Sequence, residues 1–337
     1  RMAVGGAMVG VVLITAGGAL LRAKTGPRKQ AEDSRERFLE HLEEQEDTIR
    51  DLAEEQREQS ALRNPAPGAL SDVIRQPHRL WERRPSDEDF LVVRLGVGTG
   101  DLACGVTVRP AGDPMLVPEP ISQAHLDRML KRCSTIDDLP IAVPLHGTVS
   151  LIGPHDVTAN AIRALLLQVA VLHAPDDLRL HLALPLSGGE DTGRWALWLP
   201  HILDDHRLDG PIGLRGASTD EDSAEALISE LDERREEMTA KGKTRMIQVE
   251  RPHLIVVVDM ESDHGRFVMS KLAEVEDLEK ARITIISTAT MQRMEPSHVD
   301  VRVSFGQGKK QRRKGASKST DDKRTLDDAA LAFSVQL

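Results

Sequence analysis

Two short stretches carry residue types that could act on a phosphate. The first is Gly153-Pro154-His155-Asp156, set between a β-branched run from Thr148 to Ile152 and a helical apolar pattern from Val157 to Leu172. Strand, glycine turn, helix is the opening unit of a nucleotide-binding α/β domain. The second is Asp259, which closes the apolar run Leu254 to Val258, with Glu261 two residues further on. An acid ending a buried strand can hold Mg²⁺ through water, and a following acid can polarise an attacking water.

Both stretches depart from what that chemistry requires. A phosphate-cradling loop needs several glycines, a lysine for the β and γ oxygens, and a hydroxyl for Mg²⁺. The turn here has one glycine and no lysine; Pro154 removes a backbone donor, and Asp156 sets a carboxylate where a phosphate would sit. Met260 separates the two acids. The expectation is a fold that has lost its nucleotide chemistry, with Gly153, Pro154, His155, Asp259 and Glu261 as a degenerate nucleotide site, no catalytic residue, no metal ligand and no cofactor. Asp259 then has a structural or capping role. The alternative is residual Mg-ATP binding at the same residues, with Thr288 as a weak sensor candidate.

The elements that must position these residues follow from periodicity. Strands are expected at His181 to Pro185, Ile283 to Ser287 and Val299 to Phe305, and a charged helix with apolar positions Leu227, Ile228, Leu231 and Met238 from Glu221 to Thr239. Together they predict an α/β domain over 146–337: a degenerate, P-loop-NTPase-like, mostly parallel sheet with flanking helices. Trp195 and Trp198 are expected to pack as core or domain-contact residues. Lys309, Lys310, Arg312, Arg313, Lys314, Lys318, Lys323 and Arg324 lie among Gly, Ser and Thr, which predicts a flexible basic loop over 306–324. Solvation is its plain role, and contact with anionic lipid or an acidic partner the sharper one.

Ahead of that domain lie three further segments. Met2 to Leu21 is an uncharged apolar run, long enough as a helix to cross a hydrocarbon core of roughly 30 Å. Residues 1–21 are therefore expected as a transmembrane helix, with a signal peptide as the competing reading. Gly6 and Gly10 supply a small-residue spacing for helix contact, and Arg22, Lys24, Arg28 and Lys29 place the bulk of the chain in the cytoplasm. Residues 22–64 predict a helical stalk, free of Gly and Pro from Ala31 to Leu62, with Phe38, Leu42, Ile49 and Leu52 on one stripe. That stripe is the expected contact with a partner helix, unless the stalk is simply solvated. Residues 65–145 predict a small β-rich subdomain. In it, Phe90 to Leu95 and Leu102 to Val108 flank a turn at Gly96-Val97-Gly98-Thr99-Gly100, read as a hairpin because a strand rather than a helix follows it. A helix from Ser122 to Arg132 and a connector from Asp137 to Val143 complete it.

Composition narrows the function classes. A net charge of −10, with 3 Trp, 5 Phe and no Tyr, argues against a nucleic-acid-coating surface or base-stacking platforms. Cys104 and Cys133 form neither a disulfide framework nor a metal cluster. Asp204-Asp205-His206 and Asp137-Asp138 read as isolated surface acids. Elbow, zincin and Cys-x-x-Cys motifs do not occur.

The order of parts resembles the amino-terminal region of the EccC family, membrane-bound FtsK/SpoIIIE-type ATPases of type VII (ESX) secretion systems. The stretches that carry the resemblance are Arg35-Glu36-Arg37-Phe38-Leu39, Gln56-Arg57, Asn64-Pro65-Ala66-Pro67, Trp81-Glu82-Arg83-Arg84-Pro85, Asp89-Phe90-Leu91, Ile152-Gly153, His173-Ala174-Pro175-Asp176-Asp177-Leu178 and Trp198-Leu199-Pro200-His201. The resemblance implies a membrane stub, a stalk and an ATPase-like domain ahead of further ATPase domains, working as an assembly and coupling module in the cytoplasmic membrane. It implies an oligomeric membrane complex with EccB, EccD and EccE, and secreted WXG-motif proteins engaged by the later ATPase domains. Neither those later domains nor a second span lies within these residues.

Overall fold

The structure, a computed structural model, describes residues 11–16, 28–110, 120–184, 193–209, 212–240, 251–307 and 331–336. In chain order the strands and α-helices are β1 (Val11–Ala16), α1 (Arg28–Arg63), α2 (Leu70–Arg75), β2 (Val92–Asp101), β3 (Gly105–Pro110), α3 (Pro120–Cys133), β4 (Thr135–Pro144), β5 (Thr148–Ile152) and α4 (His155–Leu172). They continue as β6 (Leu178–Ala183), β7 (Leu203–Asp209), β8 (Ile212–Arg215), α5 (Glu225–Ala240), β9 (His253–Asp259), α6 (Asp263–Leu272), β10 (Ile283–Ala289), β11 (Val301–Gln307) and β12 (Leu331–Gln336). The chain divides into two compact units: a helical unit of residues 1–68 and 94–143, and a sheet unit of 69–93 and 144–337.

In the helical unit, α1 runs 36 residues because nothing in it breaks a helix, and Asn64-Pro65 ends it. Its stripe is not left open. Phe38, Leu42 and Ile49 are buried against Leu126 and Met129 of α3, with Leu102, Val106 and Val108 packed around them. The expected partner-contact face at these three positions is thus used inside the chain, and Leu52 is half-buried. Polar ties reinforce the packing: the Gln56 amide donates to the Asp101 carbonyl at 3.1 Å and accepts from Ala103 N–H at 2.7 Å. Arg57 donates to the Asp137 carbonyl at 3.2 Å, and Arg132 pairs with Glu46 at 2.7 Å.

One expectation fails here for a physical reason. The glycines expected to form a hairpin turn lie within β2, which pairs with β4 and not with β3. A Cβ at Gly98 would come within 3.1 Å of Ile141 Cγ1, and one at Gly100 within 2.9 Å of Leu139 Cδ1, so the missing side chains make room for β4. Of the run expected to span a membrane, only residues 11–16 are described, together with none of Gly6 or Gly10. They form β1, paired in parallel with β3 from Val11–Gly105 to Ala16–Pro110, where β-branched side chains favour extended backbone. Among the described residues no helix is long and apolar enough to cross a membrane.

The sheet unit is built on a six-stranded sheet in the order β12-β11-β5-β10-β9-β6. All pairings from β11 to β6 are parallel, and β12 is antiparallel to β11. Continuous burial of Thr148–Ile152, Leu254–Val258 and Ile283–Ala289 is what a parallel sheet covered on both faces demands. On α5 and α6, Leu227, Leu231, Val268 and Leu272 pack with Val256, Val258, Ile283 and Ile285. At the amino ends of the strands, buried Arg234 donates to the carbonyls of Pro252 and Ala281 at 2.9 and 2.8 Å and pairs with Glu230 at 2.7 Å. Of the two tryptophans expected as core or domain-contact residues, Trp195 is half-buried with the Arg163 guanidinium 5.7 Å from its ring centroid, while Trp198 is 87% exposed. The basic segment expected to be a loop lies outside the described residues apart from Gly306 and Gln307.

Candidate functional site at the carboxyl edge of the sheet

The strand order brings the carboxyl ends of β5, β10 and β9 side by side, so the residues singled out in sequence share one edge. Gly153 turns the chain from β5 into α4, and its N–H donates to the Ala289 carbonyl at the end of β10, 3.0 Å away. A Cβ at Gly153 would stand 3.0 Å from Phe305 Cβ, so a side chain there would crowd β11. Pro154 occupies the helix N-cap with no side-chain cap, and its carbonyl takes the N–H groups of both Val157 and Thr158 at 3.0 Å. His155 and Asp156 are exposed in the first turn. Asp156 offsets the positive end of the helix that would otherwise favour an anion.

The two acids are committed to their own loops. Asp259 accepts the N–H of Glu261 at 3.0 Å, and Met260 N–H donates to the Thr288 carbonyl at 3.0 Å. Glu261 Oε1 accepts from Thr290 N–H at 3.0 Å and closely from the Thr290 hydroxyl. These bonds, the hydroxyl first, hold the Glu261 carboxyl below its usual range, with His155 adding a smaller attraction. Ser262 caps α6 by accepting Gly265 N–H at 2.9 Å while donating to the Asp259 carbonyl at 2.9 Å. Thr288 is buried within the sheet. Among the described residues no group of three or more His, Cys, Asp or Glu side chains could hold a metal ion. The edge therefore assembles the expected residues, Gly153, Pro154, His155, Asp259 and Glu261, but joins the acids to neighbouring amides and a hydroxyl of the protein itself.

Two buried polar clusters were not legible as such in the sequence. In one, the Ser218 hydroxyl lies 3.0 Å from His181 Nε2 and 2.8 Å from His264 Nε2, tying β6 to the amino end of α6. A hydroxyl has one proton, so it donates to one imidazole and accepts from the other. Ser218 is 1% exposed, and His264 Nδ1 has no hydrogen-bond partner, so the arrangement lacks the oriented base of a nucleophilic triad. Burial drives the His181 pKa down to about 3, with the nearby His264 adding to the shift.

The other cluster gathers the stretches that carry the family resemblance. His173 Nδ1 lies 3.0 Å from the Val169 carbonyl and so carries the proton; its Nε2 accepts Leu91 N–H at 3.0 Å. Desolvation lowers its pKa to about 4, so the ring is neutral. Arg83, 2% exposed, donates to the Val92 carbonyl and pairs with Asp89 at 3.5 Å. His201 Nε2 donates to the His173 carbonyl at 2.8 Å, and Phe90 meets the His173 ring edge-on at 5.2 Å. Sequence offered the residues, but only the fold shows that one buried site unites them.

No profile of a known protein family matches the chain. It is similar to the ESX secretion system protein EccC of Thermomonospora curvata, 37% identical over 186 residues, which are 54% of this chain and 14% of that protein. It is also similar to the ESX-3 secretion system protein EccC3 of Mycobacterium tuberculosis, 32% identical over 252 residues, 74% of this chain and 18% of the relative. The chain thus spans less than a fifth of the length of either. Among solved structures, the cytoplasmic domain of the Thermomonospora curvata type VII secretion ATPase EccC aligns over 70% of this chain and 27% of its own, with a TM-score of 0.39 and 14% identity. Over the part of their length that it spans, the chain is therefore homologous to the EccC proteins of ESX secretion systems.

Proposed function

We propose that this chain is an assembly and coupling module of an EccC-type secretion ATPase, a degenerate P-loop-NTPase-like sheet without turnover of its own. The observation that carries the reading is the self-contained carboxyl edge. Gly153 N–H, Asp259 and Glu261 each bond to the protein, and Glu261 is held by Thr290. A phosphate site needs converging free donors and a lysine, and the turn from Gly153 to Ala159 supplies one glycine and no lysine. Residues 1–21 serve as membrane anchor, and EccB, EccD and EccE are the partners in an oligomeric complex. WXG-motif substrates are engaged by ATPase domains elsewhere in the parent protein.

A second reading has one observation in its favour: the Gly153 turn and Asp259 share an edge, separated by β10 alone. On it the sheet is a divergent domain that binds Mg-ATP and drives translocation. An Asp259→Asn parent protein separates the two. Export of the system's substrate at the wild-type rate is expected; loss of export with the membrane complex intact would establish the second reading.

A further inference from the structure

The chain passes between the two units three times, at Gly68–Ala69, at Val93–Arg94 and at Val143–Pro144, and the last two passages lie in the paired strands β2 and β4. Just inside the sheet unit, the roots of these strands meet: Leu145 N–H donates to the Leu91 carbonyl at 2.9 Å. The buried polar cluster grips this junction at Leu91 and Val92. His173 accepts Leu91 N–H, and Arg83 takes the Val92 carbonyl. Thr284 donates to the Leu145 carbonyl at 2.8 Å and is itself held by His253 Nε2 at 2.9 Å.

Two residues here stand in the left-handed region that bulky side chains avoid: Leu91 at φ 60° and Trp81 at φ 58°. Leu91 is 1% exposed. Trp81 is fixed through its N–H to the Val171 carbonyl at 2.9 Å and its indole N–H to the Ala170 carbonyl at 3.2 Å. Strain of this kind persists only where surroundings over-determine it, and it collects at functional sites and switch regions. A hydrocarbon cluster of equal volume would fill the space but could not hold backbone groups at a set register.

We propose that the Arg83–His173 cluster is a strained clasp that fixes, in the sheet unit, the two chain passages made by β2 and β4, and that load carried by these strands enters the sheet through it. The inference rests on the coupling reading above and names the device that performs it. The clasp is a positioning element.

Hydrogen exchange on the full chain tests it. His173→Phe removes both imidazole bonds at similar volume, and Arg83→Met removes the guanidinium. Exchange of the Leu91 and Leu145 amides should rise at least tenfold in each, while β9 and β10 amides at Val256, Val257 and Ile285 keep wild-type rates. His173→Gln, whose amide oxygen can still accept from Leu91, should retain slow exchange. In the parent protein, His173→Phe should lower export per assembled complex. An equal rise across β9 and β10, or local loosening with undiminished export, would overturn the proposal. Asp259→Asn keeps the clasp and so reports on the coupling reading alone.

Discussion

Replacing Ile49 by alanine tests whether the stalk stripe is core or contact surface. Ile49 is 2% exposed between α1 and α3. Three carbons are removed, which at about 0.8 kcal/mol per methylene withdraws about 2.4 kcal/mol. The cavity left behind raises the cost to roughly 3 kcal/mol, within the range of about 2–5 for such truncations. With a urea slope of about 2 kcal/mol per molar, the unfolding midpoint of the helical unit should fall by about 1.5 M. Tryptophan fluorescence watches the sheet unit by itself, since Trp81, Trp195 and Trp198 all belong to it, whereas far-ultraviolet dichroism reads helix in both units, α1 and α3 in one and α2, α4, α5 and α6 in the other. The part of the dichroism change contributed by α1 and α3 should therefore shift its midpoint by that amount, while the fluorescence midpoint moves much less. Dichroism and fluorescence transitions that both stay within about 0.2 M of wild type would refute the packing argument and return Ile49 to an open face.

Acid should weaken the sheet unit before carboxylates titrate. His173, His181 and His253 are held neutral by burial, with pKa values lowered from 6.5 to about 4, 3 and 3. Below pH 6.5 the unfolded chain takes up protons that the folded chain refuses, so stability is full above that pH and falls as pH drops toward 4. His173 alone withdraws about 3 kcal/mol across its window at 1.36 kcal/mol per pKa unit. Urea midpoints by tryptophan fluorescence should be level from pH 8 to 7 and decline from 6.5 to 5; a level profile down to pH 5 would contradict the buried assignments. Ser262→Ala removes the α6 cap and should cost about 1 kcal/mol in the same assay, and no measurable loss would mean another group satisfies Gly265.

Much of the sheet was legible because its strands are unbroken buried runs: Leu254 to Val258 and Ile283 to Ser287 lie inside the observed β9 and β10. The strand–turn–helix from Thr148 to Leu172 was likewise fixed by local signals, a β-branched run, Gly-Pro, then helical period. What failed depended on distant partners. The glycines at 98 and 100 look like a turn until Ile141 and Leu139 are placed against them. The stripe Phe38, Leu42 and Ile49 looks open until α3 covers it, since periodicity reports a face but not what meets it. At the candidate site, the residues could be named from the sequence, but the bond from Glu261 to Thr290 joins residues 29 apart. The roles of Arg83 and His173 were hidden for the same reason, being 90 residues of chain away from one another in all but space.

The central claim is that the carboxyl edge is closed to nucleotide, and calorimetric titration of this chain with Mg-ATP tests it most directly. The account predicts no saturable heat up to millimolar ligand and no rise in melting temperature, since a ligand that binds only the folded state must stabilise it. Saturable micromolar binding that disappears in Asp259→Asn would contradict it.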